Sequence, residues 1–135
     1  MVFEKFGRLS FVPFTKVSEF VEHLKNGKLK ATKCKRCSSV YFPPKADCFK
    51  CMSTEMEWIE LSGKCTLLTY TTVHVAPAGF ENFVPYTIAV AELEEGGKLL
   101  AWLEGIKEEN LEIGMKLRIV VEQLPEDRIV YSLKR

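Results

Sequence analysis

Four cysteines constrain this chain more than any other feature. They read Cys34-Lys35-Arg36-Cys37, then ten residues, then Cys48-Phe49-Lys50-Cys51. A C-x-x-C pair puts two thiolates on one tight turn. Two such turns facing each other offer four sulfurs at tetrahedral corners, a cage that Zn²⁺ closes at about 2.3 Å per bond. Residues 29–61 are too few to hold together by burial alone. Structural zinc contributes roughly 10–16 kcal/mol in peptides of this kind, enough to hold such a unit folded. Two disulfides are the competing reading, but each would close only a tiny loop, and nothing in the sequence points to an oxidising compartment. Iron also suits four thiolates, and zinc is the preferred metal. With all four corners filled by protein, no position is open for a catalytic water, so the metal is expected to be structural. Ser38 and Met52 follow the second cysteine of each pair, where such knuckles often carry Gly for a positive φ. The fifth cysteine, Cys65, begins a strand-like run and is expected to be a small buried hydrophobe.

The remaining pattern predicts a mainly β chain with an N-terminal helix, a rubredoxin-like zinc ribbon and a five-stranded OB-fold barrel. Residues 1–14 read as an extended lead-in. Val17, Phe20, Val21 and Leu24 have helical spacing, with Thr15 as the expected N-cap and Asn26-Gly27 as the stop. Strands are expected at Leu29–Lys33 and Met56–Leu61 around the cysteines. Five more follow at Cys65–Val75, Tyr86–Leu93, Leu99–Glu104, Met115–Leu124 and Ile129–Leu133. One helical turn is expected within Gly105–Glu112. A long first strand, a hairpin at Glu94–Gly97, an interruption and a final hairpin match the OB barrel, with an SH3-like barrel as the competitor. The expected division is 1–28 for the helical segment, 29–62 for the ribbon and 63–135 for the barrel.

Charge separates the parts. The chain has 19 basic and 18 acidic side chains in 135 residues, 47% of them hydrophobic. That composition is expected of a soluble globular chain, and no apolar stretch reaches the ~18 residues of a membrane span. The charged opening residues 1–6 show no secretory signal, so a cytoplasmic location is expected. Residues 1–53 carry a formal +7 and residues 54–135 a formal −6. Bound zinc with four thiolates would bring the first figure to +5. The barrel region, at −3, lacks the clustered cations that phosphate binding requires. A nucleic-acid-binding ribbon/OB protein is therefore the alternative function rather than the leading one. Tyr70, Phe80, Phe83, Tyr86 and Trp102 are scattered in sequence and are expected in the core. His23 is expected at the surface, and His74 sits just before a loop. No nucleophile, zinc-protease or phosphate-loop motif is present, so no self-sufficient active site is expected.

The ordered set of motifs resembles a known family. The helix ending at Asn26-Gly27 is followed by Lys33-Cys34-x-x-Cys37, Tyr41-Phe42-Pro43-Pro44 and Cys48-x-x-Cys51. Next come Glu57-Trp58-Ile59-Glu60-Leu61-Ser62-Gly63, the run Thr69–His74, Ala76-Pro77-Ala78-Gly79-Phe80, Pro85-Tyr86 and Ile113-Gly114-Met115. Over residues 15–124 this is similar to the zinc-ribbon/OB-fold acyl-CoA-associated proteins, a domain of unknown function typically encoded beside thiolases. The Ser38 and Met52 positions depart from that family's usual Gly. The resemblance implies a non-enzymatic accessory subunit that bridges an acetoacetyl-CoA thiolase and hydroxymethylglutaryl-CoA synthase, with a shared coenzyme A channel serving isoprenoid synthesis. Neither a membrane nor nucleic acid is an expected partner. Lys33, Lys35, Lys50, His74 and Phe80 are the expected coenzyme A contacts.

Overall fold

The computed structural model describes residues 3–9 and 15–135. Met1, Val2 and residues 10–14, part of the expected lead-in, lie outside the described residues. Phe3–Lys5 form a 3₁₀ turn, and Phe6 bridges to Ile129. The expectation of a plain extended lead-in is thus corrected for these residues: their aromatic side chains dock on the barrel.

Helix α1 spans Glu19–Lys25 and begins later than expected. The Ser18 hydroxyl donates to the Thr15 carbonyl at 2.6 Å and accepts from the Thr15 N–H at 3.0 Å, so a side-chain turn occupies the expected first turn. Phe20, Val21 and Leu24 form the buried face. Phe20 meets Phe42 edge-on at 5.4 Å between ring centres, and both lie within 6.0 Å of Tyr131. The helix therefore joins ribbon and barrel through one aromatic core. His23, expected at the surface, is instead half-buried against Trp58, with ring centres 5.2 Å apart.

The ribbon is a three-stranded antiparallel sheet of β1 (Lys30–Cys34), β2 (Val40–Tyr41) and β3 (Met56–Glu60), in the order β2-β1-β3. The barrel holds β4 (Lys64–Val73), β5 (Tyr86–Leu93), β6 (Lys98–Leu103), β7 (Lys116–Leu124) and β8 (Arg128–Lys134). It closes in the order β4-β5-β6-β8-β7. That closed five-stranded order is the OB arrangement. A bulge between Leu67 and Thr69 bends the long β4 so that it pairs with both β5 and β7. Ala89, Ala91, Leu93, Leu99, Leu117, Ile129 and Leu133 point inward. Small residues at two of these positions suit a tight barrel. Glu108–Asn110 supply the expected helical turn, as 3₁₀. Among the described residues no helix is long and apolar enough to cross a membrane.

Candidate metal centre

β1 ends at Cys34, and the chain turns back through Cys37 to β2. The second knuckle repeats this turn at Cys48–Cys51. The two knuckles match in backbone: the Cys34 N–H bonds to the Ser39 carbonyl and the Cys48 N–H to the Ser53 carbonyl, both at 2.9 Å. Ser38 and Met52 sit at φ +64° and +63°, the left-handed conformation that Gly adopts without strain. The missing glycines have therefore not altered the turns.

All four sulfurs lie within 4.8 Å of one another. Cys34 and Cys51 are 3.5 Å apart at sulfur, as are Cys37 and Cys48. A tetrahedral zinc site with 2.3 Å bonds needs sulfurs about 3.8 Å apart, so the cage fits the ion. Cys34 and Cys48 are buried and the other two half-buried. The Cys37 N–H points at the Cys34 sulfur at 3.5 Å, the Ser39 hydroxyl lies 3.2 Å from Cys37 and the Tyr41 hydroxyl 3.2 Å from Cys48. The Tyr41 hydroxyl pulls the Cys48 thiol down to about 6, against burial. The Ser39 side chain lowers Cys37 in the same way. At Cys51 the Ser53 backbone bond lowers the pKa, but burial and the neighbouring sulfurs win and raise it to about 11. The sulfurs thus resist simultaneous deprotonation until a cation shares their charge. Zinc bound here would be held by Cys34, Cys37, Cys48 and Cys51. It would supply cross-linking rather than reaction chemistry, since no ligand position stays open.

Tyr41 and Ser39, which support the sulfurs, escaped the sequence reading because hydroxyl direction has no signature in residue spacing. The contacts of Lys45 have no such signature either. Its ammonium lies 5.3 Å from the Tyr41 ring centre and 4.8 Å from that of Phe49, and Thr32 and Lys45 exchange two 2.9 Å hydrogen bonds that tie the loop to β1. Cys65 is buried as expected, and burial with the nearby Glu95 charge pushes its thiol up to about 11.

The expected coenzyme A contacts fall in two groups. Lys33 lies on β1, with Lys35 and Lys50 exposed on the knuckles. His74 is exposed just after β4, and Phe80 lies in the following loop. Among the described contacts none joins the two groups. Phe80 belongs instead to an aromatic cluster on the barrel exterior, where Tyr86 stacks on Trp102 at 4.3 Å and 12° and Phe83 meets Trp102 edge-on. The Arg8 guanidinium lies 4.2 Å from the Trp102 ring centre. The expectation of scattered core aromatics is thus corrected for these four, and Tyr70 alone packs on the core.

Four thiols closing one site beside a five-stranded barrel define a zinc-ribbon/OB-fold protein. Residues 21–57 match the family model "ChsH2, rubredoxin-like zinc ribbon domain", and residues 58–122 match "ChsH2, C-terminal OB-fold domain". The chain is 46% identical over 96 residues to a DUF35 domain-containing scaffold protein of Methanocaldococcus jannaschii, spanning 70% of this chain and 68% of that one. A DUF35 domain-containing scaffold protein of Pyrococcus furiosus is 33% identical over 111 residues, 82% and 81% of the two chains. This chain belongs to the DUF35 family. The benzoylsuccinyl-CoA thiolase subunit BbsA of Thauera aromatica is 31% identical over 77 residues, 57% of this chain and 52% of that protein. Among solved structures, the Ltp2-ChsH2(DUF35) aldolase superposes with a TM-score of 0.75 at 24% identity, covering 92% of this chain and 98% of that one. That likeness concerns the fold. It nonetheless corrects the expectation of a purely non-enzymatic accessory subunit, because the same fold is built into an aldolase.

Proposed function

We propose that this chain is a zinc-stapled subunit of an acyl-CoA enzyme assembly, bridging an acetoacetyl-CoA thiolase and hydroxymethylglutaryl-CoA synthase. The observation that carries this reading is the 46% identity to a DUF35 scaffold protein, and the similarity to a thiolase subunit supports the choice of partner. The chemistry gives such a bridge a purpose. Condensation of two acetyl-CoA molecules to acetoacetyl-CoA is uphill, and an adjacent synthase draws it forward by consuming the product. Tethering two sites gives effective concentrations in the millimolar range for short spans, about what free diffusion of a scarce intermediate lacks. Coenzyme A carries several phosphate charges. Lys33, Lys35 and Lys50 on the ribbon, with His74 and Phe80 on the barrel loop, are its proposed contacts along a shared channel. Isoprenoid synthesis is the proposed destination, and the cytoplasm, where thiols stay reduced, the proposed location.

Co-expression of the zinc-loaded chain with the thiolase and the synthase tests the reading. A stoichiometric three-component complex on gel filtration is expected, with less free acetoacetyl-CoA released than from the two enzymes mixed alone. Separate migration of all three proteins overturns it.

A further inference from the structure

The barrel is closed at one seam by little backbone. β6 and β8 run parallel and pair only at Leu103 and Leu133, where the Glu104 N–H bonds to the Leu133 carbonyl at 2.9 Å. In an antiparallel pair, alternate residues exchange both bonds with the neighbour, and those between aim theirs away. The Leu93 N–H bonds to the Gly97 carbonyl at 2.7 Å, which fixes the parity of the β5–β6 ladder. Ala91 with Leu99, Ala89 with Ala101 and Thr87 with Leu103 are the bonded pairs. Lys98, Leu100 and Trp102 therefore direct their backbone groups toward β8. Lower on the seam, the Gly7 N–H takes the Ile129 carbonyl at 2.7 Å. Between these two closures β6 and β8 part around a cavity of about 250 Å³, lined by Leu100 and Trp102 on one side and Val130 and Tyr131 on the other.

Exposed sheet edges normally carry Lys, Pro or a bulge against unwanted pairing. Here exposed Lys98 guards the start of the edge, but the edge then continues with Leu100, 58% exposed, and Trp102, and Leu9 across the cavity is 37% exposed. Among the described residues Leu100 has one strand partner, Val90 on β5. We propose that this seam receives an extended segment of the acyl-CoA enzyme partner, which adds as a strand to the edge of β6 and seats one apolar side chain in the cavity. This rests on the function proposed above. Charge selects the occupant. Among the described residues Arg8 is the only charged one lining the cavity, and its guanidinium already holds Glu104 at 2.5 Å. A matching segment is thus uncharged, and a phosphate chain finds no free cation among the described lining residues. Size agrees: small-molecule sites run to about 300–1,000 Å³, whereas about 150 Å³ already holds a benzene ring. One leucine or aromatic side chain fits within the space, and backbone bonds to Leu100 and to the Trp102 N–H supply the rest.

Amide hydrogen exchange on the zinc-loaded chain, alone and with the thiolase bound, tests the seam. The Leu100 and Trp102 amides are expected to exchange fast in the free chain and at least about tenfold more slowly in the complex. Leu100→Pro removes a donor that β5 does not use, and Leu100→Lys guards the edge without a backbone change. Both variants should weaken thiolase binding about tenfold or more, with zinc content and the circular dichroism spectrum unchanged. Slow amides in the free monomer mean that the chain closes its own seam, which overturns the proposal. So does protection that appears only with self-association or with added single-stranded RNA. A complex with fast amides and full-strength variants places the docking surface elsewhere, overturning this inference while leaving the proposed function standing. Failure of any complex to form removes the proposed function, and this partner with it.

Discussion

At the scale of single residues the knuckles carry a cost that the sequence makes visible. Met52 holds φ +63° with its side chain 80% exposed, so its conformation is strained and its burial returns little. A left-handed conformation costs an L-residue roughly 1–2 kcal/mol. Met52→Gly should therefore stabilise the zinc-loaded chain by about 1 kcal/mol after Gly's own entropic cost. Thermal unfolding checks this, and an unchanged or lowered midpoint contradicts it. Tyr41 acts in the opposite sense. Its hydroxyl meets the Cys48 sulfur at 3.2 Å and is the main reason that thiol ionises easily. Groups that support a ligand in this way typically contribute 10–100-fold to metal affinity. Tyr41→Phe keeps the ring and loses the hydrogen bond, so zinc affinity should fall about tenfold. Competition against a chromogenic chelator measures it.

At the scale of elements, the ribbon and the barrel differ in what holds them. Around the cysteines only Cys34, Tyr41 and Cys48 are buried together, whereas the main core runs through helix, sheet and barrel. Chelation should therefore melt the knuckles and leave the barrel strands folded. Thiol titration reads this in stages. No thiol should react in the zinc-loaded chain, four should react once zinc is removed, and Cys65 only when the barrel unfolds. A fifth reactive thiol at the chelation step would show that barrel and ribbon unfold together. The strands themselves were legible because period-two alternation and turn residues bracket them, and Tyr86–Leu93 falls where expected. The metal site was legible because ligand spacing is a local property. The aromatic face was not, and β5 shows why. Tyr86, Ile88 and Val90 alternate with Ala89 and Ala91, so both faces are apolar and hydrophobicity cannot tell inside from outside. The tight barrel takes the alanines inward and leaves the larger side chains outside. The start of α1 was missed for a different reason: a Ser18–Thr15 turn competes with the helix for the same backbone groups. Contacts such as Arg8 over Trp102 join residues 94 positions apart, and no sequence period reports them.

At the scale of the whole molecule, the opposite charges of the two parts do not separate them. Phe20 of the helix, Phe42 of the ribbon and Tyr131 of the barrel share one core, and Gly97 of the β5–β6 turn lies close under the Val40 carbonyl, where an added Cβ would come within 2.8 Å. That shared core makes stability sensitive to alkaline pH. Burial pushes the Cys65 thiol from its usual 9.0 to about 11, with the Glu95 charge adding to the effect. Burial likewise raises the Tyr131 phenol above its usual range. In both cases the folded chain holds a proton that the unfolded chain has begun to release. Stability is then complete below about pH 9 and is lost as pH climbs through the window between unfolded and folded values. For Cys65 that window is about 9 to 11, and two pKa units correspond to at most about 2–3 kcal/mol. Tyr131 acts in the same direction from about pH 10 upward. Denaturant midpoints of the zinc-loaded chain should therefore hold level from pH 7 to about 8.5 and decline beyond 9. Cys65→Ala should cost some packing at every pH but flatten the first part of that decline. A variant that keeps the full slope between pH 9 and 10 would assign the alkaline loss to other groups.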